Sequence, residues 1–294
     1  MIIFVRMNYL LVILIASLSL GSGRELKHYH FEQPDNIISL PDSLREISGI
    51  AFINDSTVVC VQDENGILFV YDIQHNRIKE RHPFHADGDY EGITTAYNYI
   101  YILRSDGKLF EISDFNSKKI TTKSYTTNVP AANNEGLCFN YGENELLIGC
   151  KNKTTSSDVE KDVRQIYAFD LSEHKLDKNA KFEMRVEDAM AFADKKNLDM
   201  SGVGANKKGK NKNTFKFNIS AIAIHPISGN LYILNAADHA LFVVNDKSKI
   251  IAIQLLDPVL FNKPEGLTFK PNGDMFITNE GQEGKANIVS LTYR

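Results

Sequence analysis

The chain contains no tryptophan, so tyrosine and phenylalanine supply all of its aromatic bulk. Cysteine is scarce, with Cys60, Cys138 and Cys150 the only three. An odd count leaves at least one thiol without an intramolecular partner. Each lies inside an apolar run and reads as a buried thiol. Cys138 and Cys150 fall where adjacent strands of one unit are expected, and export would permit a bridge between them. A dominant charge is also missing: the formal net charge is −4, which argues against a nucleic-acid partner. Lys207, Lys208, Lys210 and Lys212 cluster without interleaved aromatics and read as a solvated loop. No Ser-His-Asp or Cys-His arrangement, phosphate-cradling glycine loop or His-Glu zinc motif can be made out, so no nucleophile is assigned.

The leader shows a basic start, a short apolar core and a small-residue exit. Arg6 is the only charge in 1–23, Tyr9 to Ala16 is apolar, and Ser17, Ser19, Gly21, Ser22 and Gly23 follow. That is the pattern of a secretory signal peptide, although a start at Met7 would remove Arg6 from it. The expectation is export to the periplasm or cell envelope, with 24–294 as a single domain. The alternative is an uncleaved membrane anchor, for which the run falls short of the roughly 20 residues a spanning helix needs. No cysteine follows the run to accept a lipid.

What is present is a repeated phrase. It reads Tyr90-Glu91-Gly92-Ile93, Asn134-Glu135-Gly136-Leu137 and Pro264-Glu265-Gly266-Leu267, with weaker copies at Ile47-Ser48-Gly49-Ile50 and Ile219-Ser220-Ala221-Ile222. Counted from the second residue of each, the steps are 43, 44, 85 and 45 residues. A period of roughly 40–45 residues built from strands marks an all-β propeller. After each phrase, apolar strand-like runs alternate with polar turns such as Asn65-Gly66, Asp106-Gly107 and Asn272-Gly273, which suit tight hairpins with positive φ. The doubled step signals either a sixth blade or insertions around 154–216. Insertions are favoured: Thr154 to Val163 is polar, Val186 to Asp194 reads as a short helix, and Ser201 to Asn213 is rich in Gly, Lys and Asn. Five blades are expected, with six the alternative. The last unit stops after its third strand, so the Ile37–Leu40 segment should complete it and close the ring.

In a propeller blade the start of the first strand and the end of the second share one mouth of the central channel. Glu91, Glu135 and Glu265 open first strands there, with Ser48 and Ser220 at the equivalent positions. Second-strand ends add Asp63, Arg104, Lys151-Asn152, Asn235 and Glu280. Carboxylates converging on one axis repel unless something positive lies between them. A divalent cation, calcium-like because the donors are all oxygen, is the expected occupant, with Glu91, Glu135, Glu265, Asp63, Asn235 and Glu280 as candidate ligands. Zinc is disfavoured for want of His or Cys at the mouth. Two other readings stay open: the Glu-Gly step as a turn device, and neutralisation by Lys151 and Arg104 without metal. Glycine after each Glu should permit close backbone approach at the axis. Asp87 to Tyr90 reads as a solvated loop, and His225 as structural at the far end.

The phrases Leu44–Ile50, Asp89–Ile93, Asn134–Leu137, Ile219–Pro226 and Lys263–Leu267, taken in order, resemble the SdiA-regulated family of bacterial exported propellers. More remotely, the Pro264-Glu265-Gly266-Leu267 step is similar to that of the gluconolactonase and paraoxonase group. That resemblance implies a divalent metal on Glu265 and, more loosely, on Asn235. Lys151 departs from the group's ligand pattern, which puts lactonase activity in doubt. The expected function is a metal-holding module of the cell envelope that binds a small molecule or a partner. The alternative is a metal-dependent hydrolase of esters, lactones or phosphoesters with Asp63 or Glu280 as general base.

Overall fold

Apolar runs separated by tight turns fold into antiparallel sheets arranged as the five blades of a β-propeller. The structure, a computed structural model, describes residues 24–115, 117, 119–151, 162–204 and 213–294. The leader, Asn152 and the lysine cluster at 207–212 lie outside the described residues, as does most of the polar Thr154 to Val163 segment.

The first blade is built from Ile47–Asn54, Thr57–Gln62, Ile67–Asp72 and Arg77–Pro83. The second has Tyr90–Ala96, Tyr99–Arg104, Lys108–Ser113 and Thr121–Thr126. The third has Asn134–Asn140, Glu145–Cys150 and Val163–Asp170, and its outer position is shared by Lys175–Leu176 and Phe182–Arg185. The fourth follows at Ala221–Ile224, Leu231–Asn235, Ala240–Val244 and Ile250–Leu255, and the fifth at Pro264–Phe269, Met275–Asn279 and Asn287–Leu291. Its outer strand comes from the start of the described chain. Asn36–Ser39 pairs antiparallel with Asn287–Leu291, Asn36 opposite Ser290 and Ser39 opposite Asn287, which closes the ring as expected.

Burial follows position in the blade. Second and third strands are mostly buried and largely apolar, with a few buried polar residues such as Glu111 and Arg164; every residue of Ala240–Val244 is buried. Outer strands such as Arg77–Pro83 and Thr121–Thr126 are mostly polar and exposed. The apolar core lies between neighbouring blades. Phe110 meets Phe84 and Tyr90 edge-on between the first two, and Phe242 packs on Phe215 and Phe217 between the third and fourth. These edge-to-face and tilted aromatic pairs supply the bulk between blades in a chain without tryptophan.

The doubled step holds no sixth blade among the described residues. It holds the helix Val186–Lys196, then a lead-in to blade four. Glu187 and Asp188 stand in the helix's first turn and Lys195 and Lys196 in its last, matching the helix dipole. Asn197 caps it in the left-handed region at φ 52°, and Ala189 and Ala193, four residues apart, pack its buried face on blades three and four.

One expectation is corrected, and the reading of the cysteines as buried thiols holds. Gly107 and Gly273 do sit at positive φ, 83° and 92°, but Gly66 does not. Gly66 is required by proximity instead, because a Cβ there would lie 2.2 Å from the carbonyl oxygen of His85. The three cysteines are buried and free, so Cys138 and Cys150 form no bridge. Burial alone pushes the Cys60 thiol far above its usual range, which leaves it unreactive.

Candidate functional site

The repeated phrase acts through the backbone. In four blades the ladder between first and second strand skips one residue, and the skipped residues are Ser48, Glu91, Glu135 and Glu265. A bulge of this kind removes a residue from pairing and re-aims its side chain. The glycine that follows lets one blade touch the next. A Cβ on Gly92 would lie 2.6 Å from the Cβ of Leu137 and 2.9 Å from the carbonyl oxygen of Glu135. Gly49 abuts Ile93 in the same way, Gly136 abuts Ile222, and Gly266 abuts Ile50, so the contact runs round the axis. Blade four lacks the bulge: Ala221 pairs directly with Leu234, and Ser220 donates its N–H to the Leu234 carbonyl.

Around the mouth the carboxylates fall into two linked groups. Burial and then repulsion from Glu135 and Asp89 raise the Glu91 carboxyl well above its usual range, against the pull of Lys151. Burial also raises Glu135, although its side chain is paired with the Lys151 ammonium. Glu265 is raised by burial, opposed by Lys263, by Lys151 and by a hydrogen bond from Ser220. In the second group Lys263 pairs with Glu280 and stands 3.6 Å from Glu265. Burial, followed by repulsion from Glu46 and Glu280, pushes the Asp63 carboxyl up to about 6. Burial works against the charged form of both lysines, yet the surrounding carboxylates hold their pKa values above the ordinary one.

Of the candidate ligands, Glu91, Glu135 and Glu265 are brought together on the axis, and Asp63 and Glu280 stand beside them through Lys263. Asn235 is held by Asp238 instead. Its Oδ1 accepts from the Asp238 N–H at 3.2 Å and its Nδ2 donates to Asp238 Oδ2 at 2.6 Å. Arg104, expected as a competitor, forks onto Asp106 at 3.0 and 2.7 Å. Lys263 takes the role assigned to it. It was not singled out from the sequence, although it immediately precedes Pro264 in the quoted phrase. His225 lies at the far end, fully buried, hydrogen-bonded to Tyr29 at 2.9 Å and stacked on Tyr232, as expected for a structural residue.

The donor chemistry suits a hard cation, because every group at the mouth other than the lysines offers oxygen. Glu135 Oε2 and Asp63 Oδ1 are buried without a hydrogen-bond partner. A void of about 10 Å³ lies against Ser48, Glu91 and Glu135, close to the room one water-sized sphere needs. Against this, Lys151 occupies Glu135, and no three His, Cys, Asp or Glu side chains among the described residues form a ready cage. The residues therefore fit a calcium-like ion by donor type and by orphaned oxygen, in competition with Lys151.

No helix among the described residues is long and apolar enough to cross a membrane. No family model matches the chain, and no curated protein matches it. Solved structures do. Glutaminyl cyclase from Myxococcus xanthus is 11% identical, with 88% of this chain and 95% of that one covered at a TM-score of 0.56. The PQQ-bound aldose sugar dehydrogenase from Streptomyces coelicolor is 10% identical, with 88% and 97% covered at 0.55. At that identity the likeness is one of fold, and it places this chain among the β-propellers.

Proposed function

We propose that the acidic channel mouth binds a hard divalent cation, and that the chain is an exported binding module of the cell envelope whose ligand or partner meets it there. The observation that carries this reading is a shortage of counter-charge. Glu91, Glu135, Glu265, Glu280 and Asp63 face Lys151 and Lys263, and a buried oxygen of Glu135 has no partner. Glu91, Glu135 and Glu265 would hold the ion. The Lys151 side chain is 34% exposed, so a cation could displace its ammonium toward solvent, whereas Glu135 at 2% stays in place. The leader supports export, and the five phrases support kinship with the SdiA-regulated propellers.

Calorimetric titration of chelated protein with calcium chloride tests the site. One ion per chain is expected, Glu135→Gln should abolish binding, and Lys151→Gln should tighten it by about tenfold through loss of the competing ammonium. No binding heat, together with a melting temperature indifferent to calcium, would exclude the cation. A second reading, hydrolysis of esters, lactones or phosphoesters, is favoured by Asp63. Its orphaned Oδ1 and near-neutral proton affinity suit a general base. Turnover lost on both chelation and Asp63→Asn would select that reading, and an inert chain across such a substrate panel would leave binding alone.

A further inference from the structure

The opposite mouth of the channel is a second site of different chemistry. Strand alternation carries the side chains two residues past the acidic positions onto the axis as an apolar ring of Ile50, Ile93, Leu137, Ile222 and Leu267. Those five border both the small void beside Glu91 and the floor of a larger cavity beyond, so they separate the two mouths. Two residues further along come Phe52, Thr95, Phe139, Ile224 and Phe269, which wall a cavity of about 390 Å³ open to solvent. That volume lies in the range of small-molecule sites.

The rim is unusual for a soluble surface. Tyr97 and Tyr141, in the turns that follow first strands, are 61% and 76% exposed and flank Phe139 with ring centroids at 5.2 and 6.0 Å. Ile227, in the corresponding turn of blade four, is 55% exposed. Lys270 also lines the cavity. Its ammonium lies 5.4 Å from the Phe52 ring centroid and 5.3 Å from that of Phe276, and it forms no ion pair among the described residues. Asp55, exposed at the outer edge, is not within ion-pair distance of it.

We propose that this cavity binds a small molecule with an aromatic or alicyclic body and one anionic group. The body would pack among Phe52, Phe139 and Phe269 over the apolar floor, and the anion would meet Lys270. Aromatic walls favour flat apolar bodies, and an unpaired ammonium beside an aromatic face selects an anion over a neutral group. The site shares no polar group with the acidic mouth and does not depend on the cation there.

Two fluorescent probes test this on the purified full chain: 1-anilinonaphthalene-8-sulfonate, and its neutral counterpart N-phenyl-1-naphthylamine. Saturable binding of one sulfonate probe per chain is expected. Phe139→Ser and Phe269→Ser should each weaken both probes by about tenfold. Lys270→Gln should weaken the sulfonate by several-fold and leave the neutral probe unchanged. Thr95→Phe, which fills the cavity without removing a wall, should block both, so a result survives if a serine variant misfolds; near-ultraviolet circular dichroism reports that. Non-saturable binding by the native chain, or binding indifferent to Phe269→Ser and Thr95→Phe, would overturn the site. Equal response of the two probes to Lys270→Gln would overturn its anion preference.

Discussion

Residues of one chemical type meet opposite fates in this chain, and their neighbours decide which. Glu135 and Asp238 are both buried and each keeps one carboxylate oxygen without a partner, but the other oxygen of Glu135 meets only the Lys151 ammonium, whereas that of Asp238 accepts three hydrogen bonds. Asp238 Oδ2 takes the backbone N–H groups of Lys216 and Phe217 at 2.7 and 2.9 Å, along with the Asn235 amide. From blade three, Arg164 donates to the carbonyls of the same two residues, both at 2.7 Å. The lead-in to blade four is thus clamped through its backbone by a buried cation on one side and a buried anion on the other. Phe217 sits at φ 52°, a conformation that costs a bulky residue on the order of 1–3 kcal/mol, and the clamp offsets that strain. Asp238→Ala would strand these donors, and should destabilise the fold by about 2–4 kcal/mol in urea unfolding. A loss below about 1 kcal/mol would mean the clamp is dispensable.

At the scale of the element, the first strand combines a bulge that turns a carboxylate to the axis with a glycine that admits the next blade. Gly92→Val would drive two methyl groups into Leu137 and the Glu135 backbone, with an expected loss of about 2–3 kcal/mol. Gly142→Ala, whose new Cβ meets nothing closer than the Asn140 Oδ1 at 3.7 Å, should be tolerated, and comparing their denaturant midpoints isolates the packing effect. The repeat spacing made the blades legible, and the helix-like Val186 to Asp194 stretch favoured insertions over a sixth blade in the doubled step. The bulge was not legible, because a skipped ladder position leaves no mark on composition. Side-chain capture over two or three residues was missed although its signal stood in the sequence: Arg104 with Asp106, and Asn235 with Asp238. The second cavity was hidden for another reason. Phe52, Phe139 and Phe269 read as ordinary strand residues until register places them on one axis.

The whole molecule is a ring closed by its own first strand, with one acidic mouth and one aromatic mouth, and the carboxylates whose protons burial holds gather at the acidic end. That concentration should govern how stability depends on pH. In the unfolded chain Glu91 ionises near its ordinary value of 4.5, whereas in the fold its proton is held to much higher pH by burial and by Glu135. The shifts of Glu135, Glu265 and Asp63 have the same sign. Above about pH 4.5 the folded chain therefore retains protons that the unfolded chain has released, so stability is greatest at acid pH and falls as pH rises. In chelating buffer the melting temperature should drop between about pH 5 and pH 8, by about 2–4 °C for each kcal/mol lost. Glu91→Gln should flatten that slope, since it removes the carboxyl that burial penalises. Saturating calcium should abolish the slope in the native chain by stabilising the ionised carboxylates, and should do so less effectively in Glu91→Gln. A melting temperature that climbs with pH in the presence of chelator would contradict the strained acidic mouth, and with it the need for a cation there.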